Sequence, residues 1–187
     1  MVTKQSSSIY QIKISLIGAK PPIWRTILVA SDIKLSAFHG VIQAAMGWTN
    51  SHLHQFIANK KFYGVCDEDF GMEVEDETQY SLAQLLKKEK DSLIYEYDFG
   101  DSWEHNILLE KILPFDTGIA LPVCLKGKRA CPPEDCGGIW GYEELIETIS
   151  DPEHPEYEDM LDWLGGEFDP EEFDLKEINK DLVNYCQ

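Results

Sequence analysis

The sequence predicts an α+β fold: a largely antiparallel β-sheet built from hairpins, packed with helices, with a helical C-terminal tail. Three observations carry this. Strand-like runs come in adjacent pairs, 9–17 with 23–29 and 93–99 with 102–113, each pair joined by a short turn. Helical periodicity interrupts the strands only briefly, and beyond residue 138 it takes over. Neighbouring strands that pair directly favour an antiparallel sheet over a doubly wound one.

The elements follow in order. Tyr10, Ile12, Ile14 and Leu16 share one strand face, while Gln11, Lys13 and Ser15 share the other. Residues 18–22 turn the chain into the second strand, 23–29. There Trp24 is expected in the core, and Arg25, on the opposite face, is expected to pair with an acid. Ser36 is a plausible N-cap for a helix carrying Phe38, Val41, Ile42, Ala45 and Met46, and Gly47 is a natural left-handed stop. Residues 52–58 read as a strand, 64–80 as an acidic loop, and 81–90 as a short helix capped by Ser81. In the second hairpin, Gly100-Asp101 suits a two-residue turn. That register would set Asp98 across from Trp103, Glu96 across from His105 and Ile94 across from Ile107. Residues 122–138 read as a Pro/Gly/Cys-rich loop. Three helices, 142–150, 157–164 and 175–185, complete the chain. All 187 residues are read as one domain, with 1–8 a frayed start and 139–187 a helical subregion packed on the sheet.

Charge narrows the function. The net charge is −18, and two stretches make all of it. Residues 64–80 hold seven acids and residues 151–174 hold eleven, with no Lys or Arg in either. Such patches repel phosphate backbones and disfavour direct nucleic-acid binding. They suit a basic protein partner, or a solvated face that aids solubility. No apolar run is long enough to span a membrane. The start lacks a secretory signal and the cysteine count is odd, at five, so a cytoplasmic protein with reduced thiols is expected.

Several constellations could carry chemistry. His52-x-His54 in a strand would place two imidazoles on one face, about 7 Å apart along the backbone, as a metal pair or as two packed histidines. His105 lies on an apolar stripe with Trp103 and Ile107. Glu96 or Asp98 would orient its imidazole, for metal binding, for proton transfer or as a core pair. Cys131 and Cys136 flank a loop stiffened by Pro132-Pro133, and with His105 or His52 and His54 they would complete a zinc site, although the spacing is loose. The alternative is a rigid loop with two buried thiols. Asp67-Glu68-Asp69-Phe70-Gly71 departs from a calcium loop by one position.

Three segments together form a recognisable pattern: Pro21-Pro22-Ile23-Trp24-Arg25, then residues 97–105 (Tyr-Asp-Phe-Gly-Asp-Ser-Trp-Glu-His), then residues 129–138 (Arg-Ala-Cys-Pro-Pro-Glu-Asp-Cys-Gly-Gly). With Ala45-Met46-Gly47-Trp48 and residues 51–56, the chain resembles the plasmid Ri open-reading-frame-three-like family over nearly its whole length. The resemblance implies a bacterial or archaeal protein, in some cases a passenger of plasmids and insertion sequences. Some members carry a resolvase label, but no biochemical activity defines the family. DNA cleavage requires cations around the scissile phosphate and a basic surface, whereas this chain has two arginines, Arg25 and Arg129, and a strong negative charge.

The leading expectation is therefore a binding or adaptor module without committed catalysis or cofactor. Its surface would involve Arg25, Glu96, Asp98, Asp101, Trp103, His105, Arg129, Glu134 and Asp135. A metal-assisted hydrolase is the alternative, with zinc held by members of the set His52, His54, His105, Cys131 and Cys136. An acidic mimic of nucleic acid, competing for a basic DNA-binding protein, is a third.

Overall fold

The computed structural model describes residues 8–65 and 74–185. The start up to residue 7, the calcium-like stretch 67–71, Cys66 and Cys186 lie outside the described residues. Ser8 belongs to the folded chain: its N–H donates to Ser31 Oγ and its carbonyl accepts from the Ser31 N–H.

Among the described residues, eight strands form one sheet. They are β1 (Ile9–Leu16), β2 (Trp24–Ala30), β3 (His54–Ala58), β4 (Lys61–Gly64), β5 (Val74–Asp76), β6 (Ser92–Tyr97), β7 (Trp103–Leu113) and β8 (Val123–Lys128). Their spatial order is β5-β4-β3-β6-β7-β1-β2-β8. Every pairing is antiparallel except β4 with β5. The α+β architecture expected from the paired strands is the one found. The helices are α1 (Leu35–Met46), a single turn α2 (Leu82–Leu85), α3 (Gly138–Ser150), α4 (Tyr157–Leu164) and α5 (Leu175–Tyr185).

One face of the sheet is the core. Tyr10, Ile12, Ile14 and Leu16 of β1, Ile27 and Val29 of β2, Phe56 of β3, Tyr95 and Tyr97 of β6, and Trp103 and Ile107 of β7 are all buried in a cluster that α1 completes. Phe38, Val41, Ile42 and Ala45 press onto it from the helix. Each fully buried aliphatic side chain contributes roughly 1.5–3 kcal/mol. Tyr142 of α3 and Leu182 of α5 join the same cluster, and α5 packs on α1 and β8. There Asn179 accepts from the Cys124 N–H (2.8 Å) and donates to its carbonyl (3.0 Å). These two bonds occupy polar groups on an edge strand that would otherwise be open to another chain.

Besides the β6–β7 register and the starts of β3 and α3, five details differ from the sequence reading. The helix starts at Leu35, before Ser36, and Lys34 stands at its N-cap without a side-chain hydrogen bond. Gly47 stops it in the left-handed region as expected. The 81–90 helix is one turn, closed by a reciprocal bond pattern between Ser81 and Gln84. Within 64–80, Val74–Asp76 pairs with β4, and a 3-10 turn over Glu77–Gln79 buries Glu77. Within 122–138, residues 123–128 form β8.

The fifth concerns Trp24 and Arg25, which exchange the expected roles. Trp24 lies on the outer face, with the Lys13 and Lys126 ammonium groups 4.9 and 5.7 Å from its ring centre. Arg25 is buried and, among the described residues, has no acidic partner. Its Nε donates to the Ala45 carbonyl, and Nη1 donates to the carbonyls of Trp24 and Lys128. A cation is favoured there because the last carbonyls of a helix carry partial negative charge and lack intrahelical partners.

Candidate functional site

Three irregular segments meet at one end of the sheet: residues 47–53 between α1 and β3, residues 98–102 between β6 and β7, and residues 129–137 between β8 and α3. The middle one explains the rest. Tyr97 pairs with Trp103, Glu96 with Glu104 and Tyr95 with His105, one residue away from the register of a two-residue turn. A slip of one residue turns every side chain to the other face. The observed register puts Tyr95, Tyr97, Trp103 and His105 together in the core. The alternative would have pushed Asp98 across from Trp103. The longer loop is held by Asp98 and Ser102, both with positive φ (58° and 52°). The Asp98 carboxylate accepts the Gly100 N–H, and the Ser102 N–H donates to the Asp98 carbonyl.

The three segments are tied to one another. The Asp98 N–H donates to the Leu53 carbonyl at 2.8 Å. Gly137 N–H donates to Asp101 Oδ2 at 3.1 Å. Trp48 Nε1–H donates to the Pro132 carbonyl at 3.0 Å. Tyr97 is the hub: its hydroxyl accepts the Ser51 N–H and donates to Glu134, which also accepts from the Thr49 hydroxyl. Burial and the Glu134 carboxylate both raise the Tyr97 phenol, which keeps its proton.

At this junction the His52 imidazole lies between two carboxylates. Its Nδ1 is 3.7 Å from Asp98 Oδ2, and its Nε2 is 3.2 Å from Asp135 Oδ1. The ring meets Tyr97 edge-on, with centroids 5.7 Å apart. Among the described residues, these three are the group of His, Cys, Asp or Glu whose ligand atoms converge, all within 4.8 Å of one another.

The other expected site residues are placed elsewhere. His54 does not join His52 in one ligand set: His52 lies between Asp98 and Asp135, while His54 turns to His39 and Glu77. The His54 ring stacks on His39, and its Nε2 sits 2.9 Å from Glu77. His105 has no exposed surface; its Nδ1 contacts the Trp103 carbonyl at 3.0 Å and its Nε2 has no hydrogen-bond partner. Burial pushes it down to about 4. Glu96 is on the outer face, where it accepts from Gln55 and from Ser102. Trp103, like His105, is wholly interior. Arg129 is buried and reaches Glu171. Burial raises both loop thiols, Cys136 to about 12 and Cys131 higher, so both are protonated at neutral pH and poor nucleophiles. Asp101, Glu134 and Asp135 do reach the junction. Glu77 and Thr49, a buried acid inside an acidic stretch and a lone hydroxyl, give no sequence signal, whereas Tyr97 opens the 97–105 motif without its role being readable from it.

A second feature adjoins the first. Helices α3 and α4 enclose a cleft of about 300 Å³. Leu145, Met160 and Trp163 supply apolar lining, while Asp135, Glu144 and Glu156 supply charge, all of it negative. Helix α4 buries none of its residues fully, and Trp163 is half exposed. Asp135 therefore belongs to both the imidazole junction and the cleft.

The chain is thus a single-sheet α+β protein with three clasped loops at one sheet end. The family model for plasmid pRiA4b ORF-3-like proteins matches residues 8–177, and the chain belongs to that family. It is 38% identical to the uncharacterized protein y4hQ of Sinorhizobium fredii over 176 residues, covering 93% of this chain and 90% of that one. The crystal structure of a protein of unknown function, MM3350 from Methanosarcina mazei Go1, superposes with a TM-score of 0.82 at 41% identity, covering 91% of this chain and 96% of that one. The solved relative shares the fold, and neither relative brings an assigned activity. No helix among the described residues is long and apolar enough to cross a membrane.

Proposed function

We propose that this protein is a binding module whose α3–α4 cleft takes a basic segment of a partner protein, anchored by an apolar side chain. The cleft carries this reading: an apolar floor whose charged lining residues are all acidic. The acids continue past it, since residues 151–174 hold eleven and no Lys or Arg. An amphipathic helix such as α4 gains stability by covering its apolar stripe, and here the stripe is left partly open. A basic amphipathic segment satisfies both features: apolar anchors fill the floor, and its cations speed encounter and fix orientation. Trp140, 83% exposed, stands one turn before Glu144 on α3 and extends the same helix face. The three unpaired thiols Cys124, Cys131 and Cys136 suit work in the reducing cytosol.

The test uses a fluorescent helical peptide of about fourteen residues, roughly four turns, with Leu and Lys on opposite faces. Saturable binding that Trp163→Ala weakens by roughly tenfold or more is the expected result, the effect of losing an aromatic anchor. Glu110→Gln, far from the cleft, should leave it unchanged. Binding that tracks total charge and ignores Trp163, or no binding at all, overturns the proposal.

A further inference from the structure

We infer that His52, Asp98 and Asp135 form a binding site for one first-row divalent metal ion. The inference does not depend on what fills the α3–α4 cleft. It rests first on convergence: one ligand atom from each residue lies within 4.8 Å of the other two. Each residue comes from a different segment, so the site exists only in the folded chain.

The second observation is an unmet nitrogen. His52 Nε2 is shielded from solvent and has no hydrogen-bond partner. Asp135 Oδ1 is 3.2 Å away but outside hydrogen-bond geometry. A buried polar atom without a partner is costly. A cation between imidazole and carboxylate removes that cost, since both offer lone pairs to it.

Charge is the third. Asp98, Asp101, Glu134 and Asp135 gather at the junction, and among the described residues none of them pairs with Lys or Arg. Both arginines are engaged elsewhere, Arg25 on backbone carbonyls and Arg129 on Glu171. The first-row ion supplies the missing positive charge.

The scaffold is also built. Asp98 is mostly buried, and its Oδ1 is occupied by the Gly100 N–H, which leaves Oδ2 facing His52. Glu134, next to Asp135, is pinned by the Tyr97 and Thr49 hydroxyl groups. The Asp135 side chain, 70% exposed, is the adjustable member.

Ligand chemistry selects the ion. One imidazole nitrogen with two carboxylates suits Zn²⁺ or Mn²⁺, whereas Ca²⁺ requires about six to eight oxygens. Three protein ligands leave coordination positions open. Asp135 also lines the cleft, so the site adjoins it.

The experiment strips the full chain with a chelator under reducing conditions, then titrates Zn²⁺ and Mn²⁺ separately by calorimetry. About one equivalent of either should bind. His52→Ala and Asp98→Asn should weaken it by at least the roughly 10–100-fold that loss of even an outer-sphere partner costs. Asp135→Asn keeps the fold testable, because that side chain is exposed and its loss removes no core contact. The double variant Cys131→Ser/Cys136→Ser should bind as the parent does. Failure to bind either ion overturns the inference. So does parental affinity in Asp135→Asn, or Zn²⁺ binding lost in the cysteine variant and kept in His52→Ala.

Discussion

The imidazoles of His39 and His54 lie face to face, their centroids 3.4 Å apart and their planes 5° from parallel. The closeness of His54 disfavours charge on His39. Their partners divide the roles. His39 Nδ1 faces the Tyr95 hydroxyl at 2.8 Å and its Nε2 faces Asn50 Oδ1 at 2.7 Å. The Tyr95 oxygen already accepts from Gln43, so it donates to His39 Nδ1, and Nε2–H donates to Asn50. That set satisfies a neutral ring. His54 faces the buried carboxylate of Glu77.

A pH dependence follows. Burial, aided by His54, pushes His39 down to about 4, and burial does the same to His105. Unfolded histidine titrates near 6.5. Between these values the unfolded chain binds more protons, so stability rises with pH across that window. Both contributions are complete above about pH 6.5 and are lost as pH falls to about 4, at about 3 kcal/mol per histidine. Urea unfolding at stepped pH should show the decline, and the His39 and His105 ring signals in NMR should titrate near 4. Midpoints near 6.5 would contradict the burial argument.

Glu77→Ala tests the acid that faces His54. It leaves a buried ring nitrogen unpaired and should cost about 1–3 kcal/mol. Glu77→Gln keeps a polar partner and should fall between Ala and the parent. Chemical denaturation midpoints separate the three proteins, and equal midpoints would mean that water replaces the carboxylate.

Much of the architecture was legible because burial here follows simple periods. Tyr10, Ile12, Ile14 and Leu16 alternate as the core face of β1, and the helices 157–164 and 175–185 begin and end where their spacing predicts. What stayed hidden depends on partners distant in sequence. Arg25 looked like a surface cation because nothing local shows that it meets the end of α1. The β6–β7 register was misread because Gly100-Asp101 resembles a tight turn, while Asp98 and Ser102 take positive φ without being glycine. His52, Asp98 and Asp135 each looked notable alone, but their meeting requires three loops to fold against one another. The spacing of His52 and His54 suggests one ligand pair, but His54 is taken up by His39 and Glu77, contacts that no local pattern shows.

Tyr97→Phe removes the hydroxyl that clasps two of these loops. The Ser51 N–H and the Glu134 carboxylate each lose a partner. The loss should be about 1–3 kcal/mol, with the ring's packing on Trp48 (4.9 Å) retained. Hydrogen exchange should speed up in residues 48–53 and 131–137 and stay unchanged in β1 and β7. Uniform acceleration across the sheet would show that the hydroxyl supports the core as a whole.

The approach of residues 98–102 to the start of α3 can be isolated by comparing two glycines. Gly138 has φ +68°, and a Cβ there would lie 2.4 Å from the Asp101 carbonyl oxygen. Gly165 has φ +74° with nothing within 4 Å of the same position. Alanine at either site incurs the left-handed penalty of roughly 1–2 kcal/mol. Only at Gly138 must backbone also move, because a carbonyl cannot rotate away as a long side chain can. Gly165→Ala should therefore lose about 1–2 kcal/mol and leave exchange in residues 98–102 untouched. Gly138→Ala should lose more and should release both the Gly137–Asp101 hydrogen bond and the loop that carries Asp135. Equal losses in the two variants, with 98–102 equally protected, would show that the contact relaxes freely and that the loops are not clasped at this point.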